Sequence, residues 1–154
     1  PPRSTLFPYT TLFRSTKIKE ASHWCREYEI NFSHSLIFGS PGETKDSVEE
    51  TIANVHECDP TVVIAMIGVR LYPNTPLSNR LIKKGWITRK GIGLKPVFYV
   101  EESIREFIFD RLLEERRNCH NWIMPGFGKK MKHPMLFERI RNKGGKGPMW
   151  KMLA

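Results

Sequence analysis

A chain of 154 residues is about one domain long, and with 40% hydrophobic residues it can bury a modest core. No run approaches the roughly 18 apolar residues of a membrane span. Three cysteines spaced 33 and 61 residues apart suit neither a disulfide framework nor a zinc pair, and point to reduced packing thiols in a cytoplasmic protein.

The first fifteen residues, PPRSTLFPYTTLFRS, contain the near-repeat Thr5-Leu6-Phe7 and Thr11-Leu12-Phe13 but follow neither period 2 nor period 3.6. No element is predicted there. Residues 17–28 read as a short helix with Ile18, Ala21, Trp24 and Cys25 on one face. INFSHSLIF (30–38) alternates as a strand. Ile30, Phe32, His34, Leu36 and Phe38 share one parity; Asn31, Ser33, Ser35 and Ile37 share the other. A strand with one apolar and one small-polar side lies between a packed layer and something wet. GSPGET breaks it, and a helix over 45–57 follows with Val48, Ile52 and Val55 at helical spacing, capped by Thr44 or Ser47.

Asp59-Pro60 ends that helix. TVVIAMIGVRLY (61–72) is a continuous apolar, β-branched run, as expected of a strand buried on both faces of a parallel sheet. PNTPL turns the chain into a helix over 77–84, ended by Gly85. After a Gly/Lys-rich loop, 97–100 reads as a short strand. Residues 101–122 read as a long helix with Ile104, Phe107, Ile108, Leu112 and Leu113 on its apolar face, stopped by Met124-Pro125-Gly126. A basic segment follows, with a helix over 134–142, and the chain closes on GGKGPMWKMLA. The alternation of helix and strand is that of an α/β fold.

The net charge of +9 is uneven. Residues 111–154 carry 11 Lys+Arg against 3 Asp+Glu, whereas residues 16–110 carry 12 against 13. Such a basic third is either a solvated helix face with its tail or a patch for nucleic acid, acidic lipid or an acidic partner domain.

Two stretches carry chemical information. LIFGSPGET (36–44) ends a strand in glycines just before a helix N-terminus, at the sheet edge where open α/β sheets and barrels bind ligands. The same pattern also serves as an ordinary strand–helix connection. In GVRLYPNTPL (68–77), Arg70 ends an apolar strand, where a buried guanidinium would need a carboxylate partner. It is either paired in that way or already in solvent. His34, on the apolar parity, reads as a hydrogen-bonded packing residue rather than a ligand or general base. No catalytic residue and no metal ligand is assigned.

Taken together, the strand–GSPGET–helix and strand–RLYPNTPL–helix units, NWIMPG (121–126) and the KGPMWKML end resemble the C-terminal part of radical SAM proteins that carry a cobalamin-binding domain. The resemblance implies an α/β fold: the last two βα units of a partial TIM-type (radical SAM) barrel over 16–96, then a helical basic C-terminal extension over 97–154. It implies an intact parent that uses S-adenosylmethionine, a [4Fe–4S] cluster and cobalamin for methyl transfer or related radical chemistry. The cluster-binding CxxxCxxC is missing, so this chain alone is expected to be inactive. Its expected partners are the cobalamin and barrel segments of the same parent chain, with a small-molecule or lipid-type substrate ranked ahead of nucleic acid. The resemblance further implies cofactor contacts from Ile37, Gly39 (by leaving space) and Arg70. Asn31, Ser33, Ser35 and Tyr72 become the substrate-facing candidates. Residues 1–15 resemble a translated short-read sequencing adapter, which implies a non-native, disordered segment and a parent gene continuing upstream of Thr16. Two alternatives stand beside this assignment: a fragment of a radical SAM RNA-modifying methylthiotransferase, and a basic RNA-binding module stacking bases on Trp122 and Trp150.

Overall fold

The parity predicted for residues 30–38 is the pattern on which the sheet is built. In the computed structural model, which describes residues 7–125 and 142–144 with side chains from Thr16 onward, β1 (Ser33–Phe38) pairs in parallel with β2 (Val62–Ile67). The register sets Ser33 beside Val62 and Phe38 beside Ile67. His34, Leu36 and Phe38 therefore lie in rows with Val63, Ala65 and Ile67 on one face. Ser33, Ser35 and Ile37 lie with Val62, Ile64 and Met66 on the other.

The crossover is α2 (Lys45–Cys58). Thr44 and Ser47, the two candidate caps, act together. Thr44 Oγ1 accepts from the Ser47 amide and Ser47 Oγ accepts from the Thr44 amide, a reciprocal capping box. Asp59 closes the helix in a left-handed conformation, with φ of 47°. α3 (Pro76–Lys83) repeats the device, with Thr75 and Ser78 as its box. Val48, Ile52 and Val55 bury the inner face of α2 against Phe38, Val63 and Ala65. Ile104, Ile108, Leu112, Trp122 and Met124 complete this core.

Three expectations are corrected. The helix expected over 17–28 is α1 (Phe7–Glu27), which begins ten residues earlier. Pro8 lies in its first turn, where a missing N–H costs no hydrogen bond, and no glycine interrupts it. The face expected to pack does not: Ile18 and Trp24 are half-exposed. Ser22 is the buried residue, donating to the Ile18 carbonyl.

Second, 61–72 is not one strand. Gly68, at φ of +95°, breaks it, and β3 (Val69–Arg70) pairs antiparallel with β4 (Phe98–Tyr99) in a separate two-stranded sheet. A Cβ at Gly68 would lie 2.9 Å from Phe98 Cβ, so the crossing of this ribbon over the sheet edge requires glycine. The apolar run is likewise not buried on both faces, since Ile64 and Met66 are only half-buried.

Third, the helix expected over 101–122 is a single 3-10 turn (Glu102–Ile104) followed by α4 (Ile108–Asn118). The chain then turns into β5 (Trp122–Ile123), a third parallel strand in the order β1-β2-β5. Asn121 fixes this turn: its carbonyl accepts from the Val63 amide and its side-chain amide donates to the Pro60 carbonyl. Trp122 sits beside Val63, 2% exposed. A helix running on to 122 would forfeit these long-range bonds.

Residues 97–125 supply a strand to each sheet and, through Ile104, Ile108, Leu112, Trp122 and Met124, part of the main core. The basic helix expected over 134–142 and the GGKGPMWKMLA end lie, apart from residues 142–144, outside the described residues. Among the described residues no helix is long and apolar enough to cross a membrane.

Candidate functional site at the open face and carboxyl edge of the sheet

The helices cover one face of the β1-β2-β5 sheet. On the other, the register aligns Ser33, Ser35 and Ile37 with Ile64, Met66 and Ile123. Ser35 is exposed and Ile37 is 54% exposed, while Phe38, its neighbour on the opposite parity, is 1% exposed. The expected division of β1 into a packed and an open side is therefore the observed one. Two hydroxyls among aliphatic side chains can orient a ligand that is part polar and part apolar. None of these six residues is an acid or base, so this face offers no proton-transfer group of its own. Asn31 precedes the strand and is exposed.

At the carboxyl edge the GSPGET turn is held by two carboxylates. Glu43 Oε2 accepts from the Gly39 amide at 2.6 Å and the Ser40 amide at 2.9 Å. Glu101 Oε2 accepts from the Gly42 amide at 2.6 Å and from the Tyr99 hydroxyl at 3.0 Å. The Gly42 amide bond, above all, holds the Glu101 carboxyl below its ordinary pKa; burial and the neighbouring carboxylate push the Tyr99 phenol up. The Glu101 amide donates to the Gly39 carbonyl and Ser103 Oγ to the Glu43 carbonyl, so 99–103 is bolted onto the turn. The backbone donors that made this turn look like a ligand cradle are thus met within the chain.

Gly39 is buried beneath this segment. With φ of +100°, it would bring a Cβ within 3.2 Å of the Val100 backbone and side chain. Its lack of a side chain makes room for Val100. Arg70 is exposed. Its guanidinium carbon lies 5.0 Å from the Tyr72 ring centroid, a cation–π contact in solvent, so the second of its two alternatives holds. Tyr72 is also half-exposed. His34 packs as expected, its ring edge-on to Phe32 and its Nε2 3.3 Å from Ser22 Oγ, and burial lowers its pKa. The structure thus unites Ser33, Ser35 and Ile37 on one face, while Gly39 belongs to the packing and Arg70 with Tyr72 to the exposed rim.

Sequence reasoning did not find Glu101 at the turn, nor the group formed by His56, Glu115 and Cys119. Each depends on contacts about 60 residues apart along the chain, for which no local signal exists. Among the described residues this group is the one that gathers three potential metal-ligand side chains within ligand reach, so the three cysteines do not form a common set and do not fit a [4Fe–4S] cluster. Comparison with protein-family models, with curated proteins and with solved structures gives no match.

Proposed function

We propose that the chain is the C-terminal part of a radical SAM enzyme of the cobalamin-binding-domain type, its sheet forming the closing strands of a TIM-type barrel. The observation that carries this is the parallel pairing of β1 and β2 across α2. Helices cover one face, small polar and aliphatic side chains line the other, and GSPGET and RLYPNTPL both leave the carboxyl edge. In a βα barrel the inner face and carboxyl edge are the walls of the active site.

In this role Ser33, Ser35 and Ile37 position cofactor or substrate, and Arg70 with Tyr72 stands at the rim. When bound in the parent, the iron–sulfur cluster would supply the electron for reductive cleavage of S-adenosylmethionine, and cobalamin would supply a methyl-carrying corrin. Among the described residues the cysteines do not converge on one site: Cys58 is buried in the last turn of α2 and Cys119 donates to Glu115. The chain's own contribution is a wall of small polar and aliphatic side chains.

The test begins with the genomic DNA upstream of the codon for Thr16. An in-frame CxxxCxxC is expected, and the extended protein, reconstituted anaerobically with iron and sulfide, should show cluster absorption and form 5′-deoxyadenosine from S-adenosylmethionine. Replacing Ile37 by Asp in it should weaken S-adenosylmethionine binding. Genomic DNA that encodes no such motif before Thr16 would refute the proposal.

A further inference from the structure

Where α2 meets α4, His56 from the last turn of α2 lies against Glu115 of α4 and Cys119 just beyond it. His56 Nε2 lies 2.5 Å from Glu115 Oε1, and Cys119 Sγ donates to the same oxygen at 3.4 Å. One nitrogen, one oxygen and one sulfur thus lie within 4.8 Å of one another. We propose that these three residues form a site for a divalent transition-metal ion of the zinc class, clamping α2 to α4.

Tetrahedral zinc takes N, O and S donors at about 2.0–2.3 Å, which sets the donors roughly 3.3–3.8 Å apart. The donors lie within 4.8 Å, about 1 Å beyond that spacing, and binding draws the side chains together. The ion takes the place of the thiol proton and of the His56–Glu115 hydrogen bond, so all three donors stay satisfied.

The surroundings suit such an ion. Glu115 is 5% exposed, and its second oxygen accepts from Arg111 Nη1 at 2.8 Å, which orients the carboxylate and leaves Oε1 for the ion. Arg111 is itself held by Glu49 through two bonds, at 2.7 and 3.0 Å. Glu49, Glu115 and a Cys119 thiolate against the single guanidinium leave two negative charges, which a divalent cation neutralises. The Trp122 ring, 6.0 Å from that of His56, closes the inner side. The His56 side chain is 47% exposed, which provides an entry path and leaves the fourth position to water. Imidazole with thiolate selects zinc or cobalt over magnesium or calcium, which prefer all-oxygen sets.

Cobalt(II), added to the whole chain, is the probe. One equivalent should produce visible ligand-field bands and a near-ultraviolet thiolate-to-cobalt charge-transfer band, both displaced by zinc. Cys119→Ser should abolish the charge-transfer band, and His56→Ala, at an exposed position, should weaken cobalt binding by at least about tenfold. Cys25→Ser should leave both unchanged. Zinc should raise the melting temperature of the unsubstituted chain and not that of His56→Ala. Absence of the charge-transfer band from the unsubstituted, folded chain would overturn the proposal, as would cobalt binding in His56→Ala and Cys119→Ser as strong as in the unsubstituted chain.

Discussion

The two faces of the main sheet use the same three strands to opposite ends. On the covered face Phe38, Val63, Ala65 and Trp122 are all nearly inaccessible, locked against α2 and α4. On the open face Ser35 and Ile37 are exposed and Ile64 and Met66 stay half-buried, with only Val62 at its amino end fully buried. Burial of apolar area contributes roughly 25 cal/mol per Å², so the covered face carries the stability and the open face is left for contact with something else. A sheet face of this kind is where substitutions report on function without first destroying the fold.

The largest effects should fall on the covered face. Phe38→Ala is expected to cost about 3–5 kcal/mol, and Leu112→Ala about 2–5 kcal/mol, through lost burial and the cavity left behind. Urea unfolding measures both. Losses under about 1 kcal/mol would mean that α2 and α4 do not pack on the sheet as described.

The edge between the faces comes next. Gly68→Ala should cost about 2–3 kcal/mol, since it combines a strained positive φ with a Cβ in the path of Phe98. Gly42→Ala, equally positive in φ but with open space around it, should cost only the conformational part, about 1–2 kcal/mol. Equal losses in the two variants would show that the β3–β4 ribbon does not cross the edge as closely as described.

His34 gives a pH-dependent test of the covered side. Its folded pKa lies below the ordinary 6.5 because burial disfavours the imidazolium. As pH falls through 6.5 the unfolded chain takes up this proton before the native state does, so stability present above that pH is lost below it. His34→Gln should flatten that part of the stability–pH curve in urea titrations run from pH 7.5 to 5.5. An unchanged slope would place His34 in solvent.

The smallest effects belong to the open face and the rim. Ile37→Ser and Arg70→Ala should each change stability by no more than about 0.5–1 kcal/mol. A larger loss for Ile37→Ser would indicate that the open face is covered in solution, and light scattering would then show whether a second copy covers it.

Much of this architecture was legible because it is local. The caps at Thr44 and Ser47, the stop at Asp59-Pro60 and the parity of 33–38 all follow from neighbours within a few residues. The long helix expected through Trp122 failed for the opposite reason, as Asn121 bonds to Pro60 and Val63 on a distant segment. Likewise, apolar content alone could not show that Gly68 divides 61–72, because the residue that enforces the break is Phe98.

By itself, then, the sequence determined β1, α2 and α3 and which side of β1 is apolar, since period and capping are properties of short stretches. Only the tertiary structure decided that β5 joins the sheet and that Glu43 and Glu101 fill the GSPGET amides. It alone gave Gly39 a packing role and gathered His56, Glu115 and Cys119. These depend on which distant segments meet, and that is set by burial and hydrogen-bond satisfaction over the whole chain rather than by any window of it.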